Sequence, residues 1–220
     1  MQRAVADVEQ GEGAVWALVD DAGYGQEGAF EATPMEAVRR QFETNILGLI
    51  RLSQLVLPGM RRQRSGRIVN LSSMGGKPTL PGGAFYHASK HAVEALSDAL
   101  RFEVGGFGID VVGVERGPIR TQFGDTAVAS VAGGAGDTSH HAAFHQELRG
   151  AIRGAYEGLI GRLAAEPDAV ARAIERALEA RRPRTRYVVT GVARAMVTFR
   201  RWAPDRLFDA VLLTQLPQPR

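Results

Sequence analysis

Apolar residues along the chain follow two alternating patterns. Between polar and glycine-rich stretches, apolar residues recur at helical spacing, for example at Val38, Phe42, Ile46 and Leu49. The other pattern is a short continuous apolar run, which is typical of a strand buried on both faces of a sheet. These runs occupy residues 14–19, 67–71, 109–114 and 187–190. Strands that alternate with helices predict an α/β protein with a parallel sheet.

Capping signals and glycines set the expected ends of the helices. Thr33 is predicted to cap a helix that starts at Pro34, with Glu36 three residues after the cap. Glycines at 105, 106 and 108 are expected to end another helix. The predicted helices cover residues 1–8, 34–64, 83–104, 167–178, 193–202 and 205–213.

A long segment separates the third strand from the fourth. Residues 122–165 are predicted to be irregular or weakly helical, and Gly133, Gly134 and Gly136 form their loosest part. Segments of this length in compact domains are usually functional lids or disordered. We therefore expect one domain over residues 1–220, with a lid at about 122–165 and a helical C-terminal tail at about 192–220.

Composition excludes several classes of protein. The chain has 220 residues, 45% of them hydrophobic and 23% charged, which is typical of one folded domain. The absence of cysteine excludes disulfides and thiolate metal sites. No apolar run approaches the roughly 20 residues of a membrane span, and the first residues lack a signal peptide's apolar core, so a cytoplasmic location is expected. The net charge of +3 comes without basic blocks, and no nucleic-acid partner is expected.

The residues that suggest chemistry cluster around one predicted helix. Tyr86 and Lys90 are four positions apart and therefore share a helix face. Ser73 lies at the carboxyl end of the second strand, where open α/β sheets bind their ligands. Asn45 is a polar residue within an otherwise apolar helical stripe. Gly117 follows the end of the third strand.

Each of these residues also has an ordinary structural interpretation. Tyr86 alone could be a half-buried packing residue and Lys90 a solvated one, while Asn45 could be a satisfied buried amide. Ser73 could be only a turn residue, with Ser72 supplying the hydroxyl instead, although the spacing favours Ser73. Gly117 and the proline after it could form a plain turn. The order and spacing of the whole set favour the chemical interpretation.

Taken together, the motifs resemble those of the short-chain dehydrogenase/reductase family. The matching pieces, in chain order, are Asp20-Asp21-Ala22-Gly23, Asn45, Ser72-Ser73, Tyr86-x-x-x-Lys90 and the run from Arg116 to Thr121. The resemblance implies a three-layer Rossmann-type fold and a carbonyl–alcohol oxidoreductase that uses NADP or NAD, with NADP slightly preferred. It implies a catalytic set of Asn45, Ser73, Tyr86 and Lys90. The implied cofactor contacts are Asp21, Ala22, Gly23, Asn45, Tyr86, Lys90, Gly117, Ile119 and Thr121.

The resemblance also implies a role for each catalytic side chain. A nearby cation favours the phenolate, so Lys90 is expected to lower the pKa of Tyr86, which would then exchange a proton with the substrate oxygen. Ser73 would hydrogen-bond that oxygen where negative charge gathers. Lys90 would also bind the ribose hydroxyls of the cofactor. Asn45 would hold a water that connects the lysine to solvent.

The chain departs from the family pattern in three places. It has no G-x-x-x-G-x-G turn of the kind that follows the first strand and cradles the cofactor pyrophosphate. We therefore expect an incomplete Rossmann-type fold that lacks the family's first three strands, with residues 14–19 at an open sheet edge and weakened cofactor binding. Asp21 replaces a usual asparagine, and Arg116 replaces a usual proline.

Several alternatives stay open for partners and sites. The apolar residues of the lid make a lipophilic carbonyl or alcohol substrate plausible. A homodimer or homotetramer is expected through the helices at about 34–64 and 83–104, and the alternative function is a catalytically inactive remnant that serves as a dimerising interaction module. A membrane-surface role of the tail ranks last. His140, His141 and His145 could suggest a metal site, but they are interpreted as solvated lid residues, and no metal is expected.

Overall fold

The computed structural model describes residues 1–131 and 140–214. Within these residues the sheet has four strands, all parallel and in the order β1-β2-β3-β4. The strands are β1 (Ala17–Asp20), β2 (Gly66–Ser73), β3 (Ile109–Arg116) and β4 (Arg186–Val188). Each lies close to one of the predicted apolar runs, so the predicted α/β class with a parallel sheet is confirmed.

Helices connect successive strands and flank the sheet. A short π-helical turn, Glu43–Leu47, joins the second and third helices, and a 3₁₀ turn, Met74–Gly76, follows β2. The α-helices of the described residues are α1 (Gln2–Glu12), α2 (Met35–Phe42), α3 (Gly48–Gln63), α4 (Ala84–Gly105), α5 (Phe123–Ser130), α6 (Ala142–Glu157), α7 (Leu159–Arg162), α8 (Pro167–Glu179), α9 (Gly191–Trp202) and α10 (Asp205–Leu213).

The core lies on both faces of the sheet. Successive side chains of a strand point to opposite faces, so Ile68 and Val69 of β2 enter different clusters. Ile68 packs with Met60 of α3 and, around them, with residues of α1, α4 and β3. Val69 packs with Ala173 and other residues of α8. The domain is therefore a three-layer arrangement of helices, sheet and helix.

Strand β1 lies at one edge of the sheet. Residues 14–19 were expected to form a strand covered on both faces and placed at an open edge. The edge position agrees with the structure, but the strand covers only Ala17–Asp20, and Val19 is 39% exposed. Because the described residues pair with β1 on one side alone, its apolar side chains are less covered than those of β2 and β3.

Two local predictions are wrong. Thr33 does not cap a helix, because its hydroxyl donates to the carbonyl of Ala29 and α2 starts at Met35 after Pro34. The segment 122–165 is more helical than expected, since it contains α5, α6 and α7. Its three glycines, Gly133, Gly134 and Gly136, lie outside the described residues, as does the end of the predicted tail beyond residue 214.

The interpretation of His145 as a solvated residue is also wrong. Its side chain is fully buried, and its Nε2 accepts a hydrogen bond from the backbone N–H of Ala29 at 3.0 Å. His141 contacts Glu31 at 2.6 Å. In the described parts of the chain, three or more potential metal ligands do not come together. No helix within those parts has the length and apolar character needed to cross a membrane.

Candidate active site

The site forms where β2 and β3 end. Ser73 and Arg116 are the last residues of these neighbouring strands and are paired in register. The 3₁₀ turn after β2 leads to α4, which carries Tyr86 in its first turn. Parallel strands present their carboxyl ends at one edge of the sheet, where ligands bind in open α/β folds. The fold therefore brings a hydroxyl, a phenol and a cation to one place.

A mostly apolar cavity of about 280 Å³ opens at this edge. Five of the predicted site residues line it: Ser73, Tyr86, Gly117, Ile119 and Thr121. The remaining predicted residues, Asp21, Ala22, Gly23, Asn45 and Lys90, are not among the cavity's lining residues. Half of the predicted site residues therefore line the cavity, and the other half do not.

Ser73 and Tyr86 both line the cavity, and the Ser73 side chain acts to lower the pKa of the Tyr86 hydroxyl. The Ser73 hydroxyl also accepts a hydrogen bond from the backbone N–H of Gly75 at 3.0 Å, which fixes its position. Ser72 lies on the opposite side of the strand, where its hydroxyl approaches Gly76 beside Glu94. This placement favours Ser73 over Ser72 as the hydroxyl that faces a ligand.

Burial and nearby charge act in opposite directions on Tyr86. Burial raises the pKa of its hydroxyl, while the guanidinium of Arg116 opposes this rise more strongly than any other group. Arg116 also lies 5.5 Å from the ring centroid of Phe123, which in turn contacts the Tyr86 ring. The cation that most favours the Tyr86 phenolate is therefore Arg116, whereas the sequence analysis assigned this effect to Lys90.

Lys90 is buried beside the cavity and points towards the end of β2. Its ammonium group donates a hydrogen bond to the backbone carbonyl of Leu71 at 2.8 Å. Burial, reinforced by the charge of Arg116, lowers the pKa of Lys90 to about 8. A side chain added at Gly23 would begin 3.5 Å from this ammonium group, so the glycine leaves the Lys90 head group accessible from that side.

Asn45 links three segments of the site. It lies in the π-helical turn between α2 and α3, a feature that is frequent at functional sites. Its side chain accepts from the N–H of Tyr24 at 3.1 Å and donates to the Tyr24 carbonyl at 3.0 Å. It also donates to the Ser89 hydroxyl at 3.0 Å. These contacts show a side chain that holds the 23–25 loop against α4, and its predicted water-binding role stays a prediction.

The two aspartates after β1 differ in their surroundings. Asp21 is exposed and lies 3.7 Å from Arg116, so the two departures from the family pattern form an ion pair with each other. Asp20 is buried, and within the described residues one of its carboxyl oxygens has no hydrogen-bond partner. Burial raises the pKa of Asp20, and the charge of Lys90 opposes that rise. Sequence reasoning selected Asp21 and did not identify Asp20 as the buried member.

Two further residues of the cavity were missed by the sequence analysis. Glu27 and Tyr156 both line it, and burial raises their pKa values to about 8 and about 12, respectively. Glu27 follows the loop that Asn45 holds, and Tyr156 comes from α6 within the segment 122–165. The alternation of apolar residues gives no signal for either, because both reach the cavity through contacts between distant segments.

The residues present fit the nicotinamide end of a dinucleotide. Lys90 supplies a buried cationic donor. Gly117 and Thr121, just after β3, line the cavity. An added side chain at Gly117 would collide with Thr190, so the glycine itself is needed for packing within the chain. The pyrophosphate end has no counterpart among the motifs of this sequence, since the G-x-x-x-G-x-G pattern is absent.

Comparisons with known proteins identify the family of the chain. The family model described as short chain dehydrogenase matches residues 1–132. The chain is 41% identical over 125 residues to a 3-ketodihydrosphingosine reductase of Bacteroides thetaiotaomicron, and the match covers 57% of this chain and 46% of that protein. The chain thus spans less than half the length of this curated relative.

Solved structures show the same fold. A short-chain dehydrogenase from Streptomyces avermitilis has a TM-score of 0.75 and 32% identity, with coverage of 97% of this chain and 73% of the other. The structure of ElxO with NADP bound has a TM-score of 0.67 and 23% identity, with coverage of 88% and 73%. With the family match over more than half of its residues, the chain belongs to the short-chain dehydrogenase family.

Proposed function

We propose that the protein is an NAD(P)-dependent oxidoreductase that interconverts a carbonyl and an alcohol on a lipophilic small molecule. The observation that carries the proposal is the placement of Ser73 and Tyr86 together in the wall of a mostly apolar cavity. Family membership and an NADP-bound structural neighbour support the reaction class and the cofactor. NADP and NAD both remain in the proposal, and the assay compares them.

The side chains divide the proposed chemistry between them. A bound nicotinamide dinucleotide supplies or accepts the hydride. In the direction of reduction, the Tyr86 hydroxyl gives its proton to the carbonyl oxygen as the hydride reaches the carbonyl carbon, which leaves a phenolate at Tyr86 and an alcohol product. Ser73 hydrogen-bonds the same oxygen, and the guanidinium of Arg116 stabilises the phenolate. Lys90 would bind the ribose hydroxyls from its buried position.

Turnover by single-residue variants tests the proposal. Long-chain ketones and alcohols are assayed with NADPH, NADH and their oxidised forms, using the protein of residues 1–220. Tyr86→Phe removes the proton donor and is expected to lower kcat by at least about a hundredfold, in the range of general acid–base contributions. Tyr187→Phe, on β4 outside the cavity, is the matched control and should keep wild-type turnover. Full activity of Tyr86→Phe would contradict the proposal.

A second proposal concerns self-association through α2, α3 and α4. Phe102 of α4 is 92% exposed, and Leu47, between α2 and α3, is 49% exposed. Apolar side chains with this exposure favour a homodimer or homotetramer through these helices. Phe102→Lys should shift the sedimentation velocity profile towards the monomer. A wild-type dimer that binds neither dinucleotide would instead favour the alternative function, a catalytically inactive interaction module.

A further inference from the structure

Glu27 is an acidic group in an otherwise apolar cavity. Among the described residues that line the cavity, it is the single acidic one. It shares the cavity with the hydroxyls of Tyr86 and Tyr156, both of which respond electrostatically to its charge. The remaining wall is largely apolar and includes Leu80, Phe123, Leu148, Ile152, Met196 and Leu212. The carboxyl group therefore lies near the reacting hydroxyl and not at a remote rim.

The backbone around Glu27 is held firmly. Its N–H donates to the Ser130 hydroxyl at 3.0 Å, and the N–H of Gln26 donates to the buried Gln41 side chain at 2.7 Å. On the other side, the N–H of Gly28 donates to the carbonyl of Gly82 at 2.7 Å. A backbone fixed at three consecutive residues gives the Glu27 side chain a defined origin. Its presence in the cavity is thus built into the fold.

Small residues leave room for the Glu27 carboxyl. A side chain at Gly83, the residue before α4, would begin 2.9 Å from one carboxyl oxygen and 2.9 Å from the Nε2 of His87. A side chain at Gly25 would begin 3.2 Å from the other oxygen. A larger residue at either position would therefore crowd the carboxyl group. The acid occupies space that two positions without side chains provide.

Within residues 1–131 and 140–214, the carboxyl oxygens of Glu27 receive no hydrogen bond and form no ion pair. The half-buried Glu27 carboxyl is partly removed from water without a partner, which is unfavourable, and this burial raises the pKa of Glu27 to about 8. A ligand that donates a hydrogen bond would remove this penalty. An ammonium group would do so while also favouring the ionised acid, whereas a purely apolar ligand would leave the penalty in place.

We propose that Glu27 selects lipophilic substrates that carry a hydrogen-bond donor, an amine or a hydroxyl, next to the reacting carbon. This inference rests on the proposed function, because Ser73 and Tyr86 are taken to fix the reacting oxygen. With that oxygen held, a donor on the neighbouring carbon faces the Glu27 carboxyl while the chain fills the apolar part of the cavity. Glu27 is then a specificity-determining residue.

Calorimetric binding of three matched alcohols tests the inference without requiring turnover. The probes are decan-2-ol, decane-1,2-diol and 1-aminodecan-2-ol, which differ only in the group beside the reacting carbon. The wild type should bind the diol and the amino alcohol at least about tenfold more tightly than decan-2-ol, the effect expected of one well-placed hydrogen bond. Glu27→Leu should bind all three alike.

One further variant distinguishes a hydroxyl donor from an ammonium donor, and another controls for effects of substitution outside the cavity. Glu27→Gln keeps an acceptor without the charge, so it should retain the preference for the diol and lose the additional affinity for the ammonium group. Glu103→Gln, an exposed position on α4, is the matched control and should behave as the wild type. Circular dichroism and Tm confirm that each variant is folded.

The outcomes for binding and for turnover are distinguishable. Equal affinity of the wild type for all three alcohols, no binding of any of them, or a preference that survives in Glu27→Leu would overturn the inference. A Glu27-dependent preference in binding, with no oxidation of any alcohol by NADP or NAD, would leave the inference standing and overturn the proposed function. Oxidation of the alcohols without any preference among them would overturn the inference and leave the proposed function standing.

Discussion

Ser73 and Arg116 are register partners at the carboxyl ends of neighbouring parallel strands. Ser73, Tyr86 and Arg116 line the same cavity, and the Arg116 cation lies close enough to the phenol to act on its pKa. The family pattern has a proline at this position, so the guanidinium is a feature of this chain. It is paired at 3.7 Å with Asp21, which also differs from the residue that the family resemblance implies.

Removal of the Arg116 charge should shift the pH dependence of alcohol oxidation. Arg116 lowers the pKa of Tyr86, so Arg116→Gln raises it, and the phenolate needed to accept the proton forms only at higher pH. The midpoint of the kcat/KM profile should therefore move to higher pH. Arg120→Gln, which loses an exposed ion pair with Glu166, is the control. An unchanged midpoint in Arg116→Gln would show that the charge does not act on Tyr86.

Lys90→Met should change how stability depends on pH above neutrality. The folded-state pKa of Lys90, about 8, lies below its ordinary value of 10.5, so the unfolded chain binds this proton more tightly. Wild-type stability therefore rises as pH increases from about 8 to 10.5, by up to about 3 kcal/mol. The variant should lack this rise in urea unfolding at pH 8, 9 and 10. Parallel pH dependences for the two proteins would refute the assignment.

Titration of Glu27 should lower the stability of the fold as pH rises, which is the opposite of the effect of Lys90 and occurs over a lower pH range. Its folded-state pKa of about 8 lies above the ordinary 4.5, so the folded chain binds this proton more tightly than the unfolded chain. Its contribution to stability is present below pH 4.5 and is lost as pH rises to about 8. Because the side chain is only half-buried, we expect a loss of about 1–2 kcal/mol, less than the full shift implies. Urea unfolding at pH 5 and pH 8 should show this loss in the wild type and in Glu103→Gln, and not in Glu27→Gln.

Arg186 should stabilise the fold through two buried carboxyl groups. Its Nε lies 2.8 Å from Glu94 and 3.1 Å from Glu115, and this contact joins β4 to α4 and β3. Arg186→Leu leaves Lys77, which lies 2.9 Å from Glu94 and 3.9 Å from Glu115, as the remaining cation beside the two acids. The variant should therefore lower the free energy of unfolding by less than the about 3–5 kcal/mol expected when a buried charge is left wholly unpaired. Glu115→Leu in the same chain should recover part of that loss, since it removes one of the two acids that then share Lys77. Additive losses in a double-mutant cycle would argue against the coupling.

The sequence predicted the parts of the fold that depend on local pattern. The apolar runs and helical stripes gave the four strands and most helices within a few residues. Tyr86 and Ser73 could be placed at one site because each follows a recognisable strand or helix boundary. These features depend on periodicity and on the carboxyl ends of strands, both of which are visible in a single chain.

Features that depend on distant contacts could not be predicted. His145 is polar and lies in a segment without strong periodicity, yet Ala29 supplies a hydrogen bond that makes its burial possible. Thr33 has the sequence context of a cap, but the Ala29 carbonyl competes successfully for its hydroxyl. Glu27 is an ordinary loop acid in the sequence. The other residues that line its cavity lie between 46 and 185 positions further along the chain.

The π-helical turn at Glu43–Leu47 makes the chain sensitive to deletion in one place. Such a turn contains one residue more than a regular helix needs, and each residue rotates a helix by about 100°. Loss of a single residue between Phe42 and Asn45 would allow an uninterrupted helix and would turn the amide away from Tyr24. A substitution in this stretch would change individual contacts. A deletion there would instead rotate α2 and the residues before it relative to α3 and the residues after it.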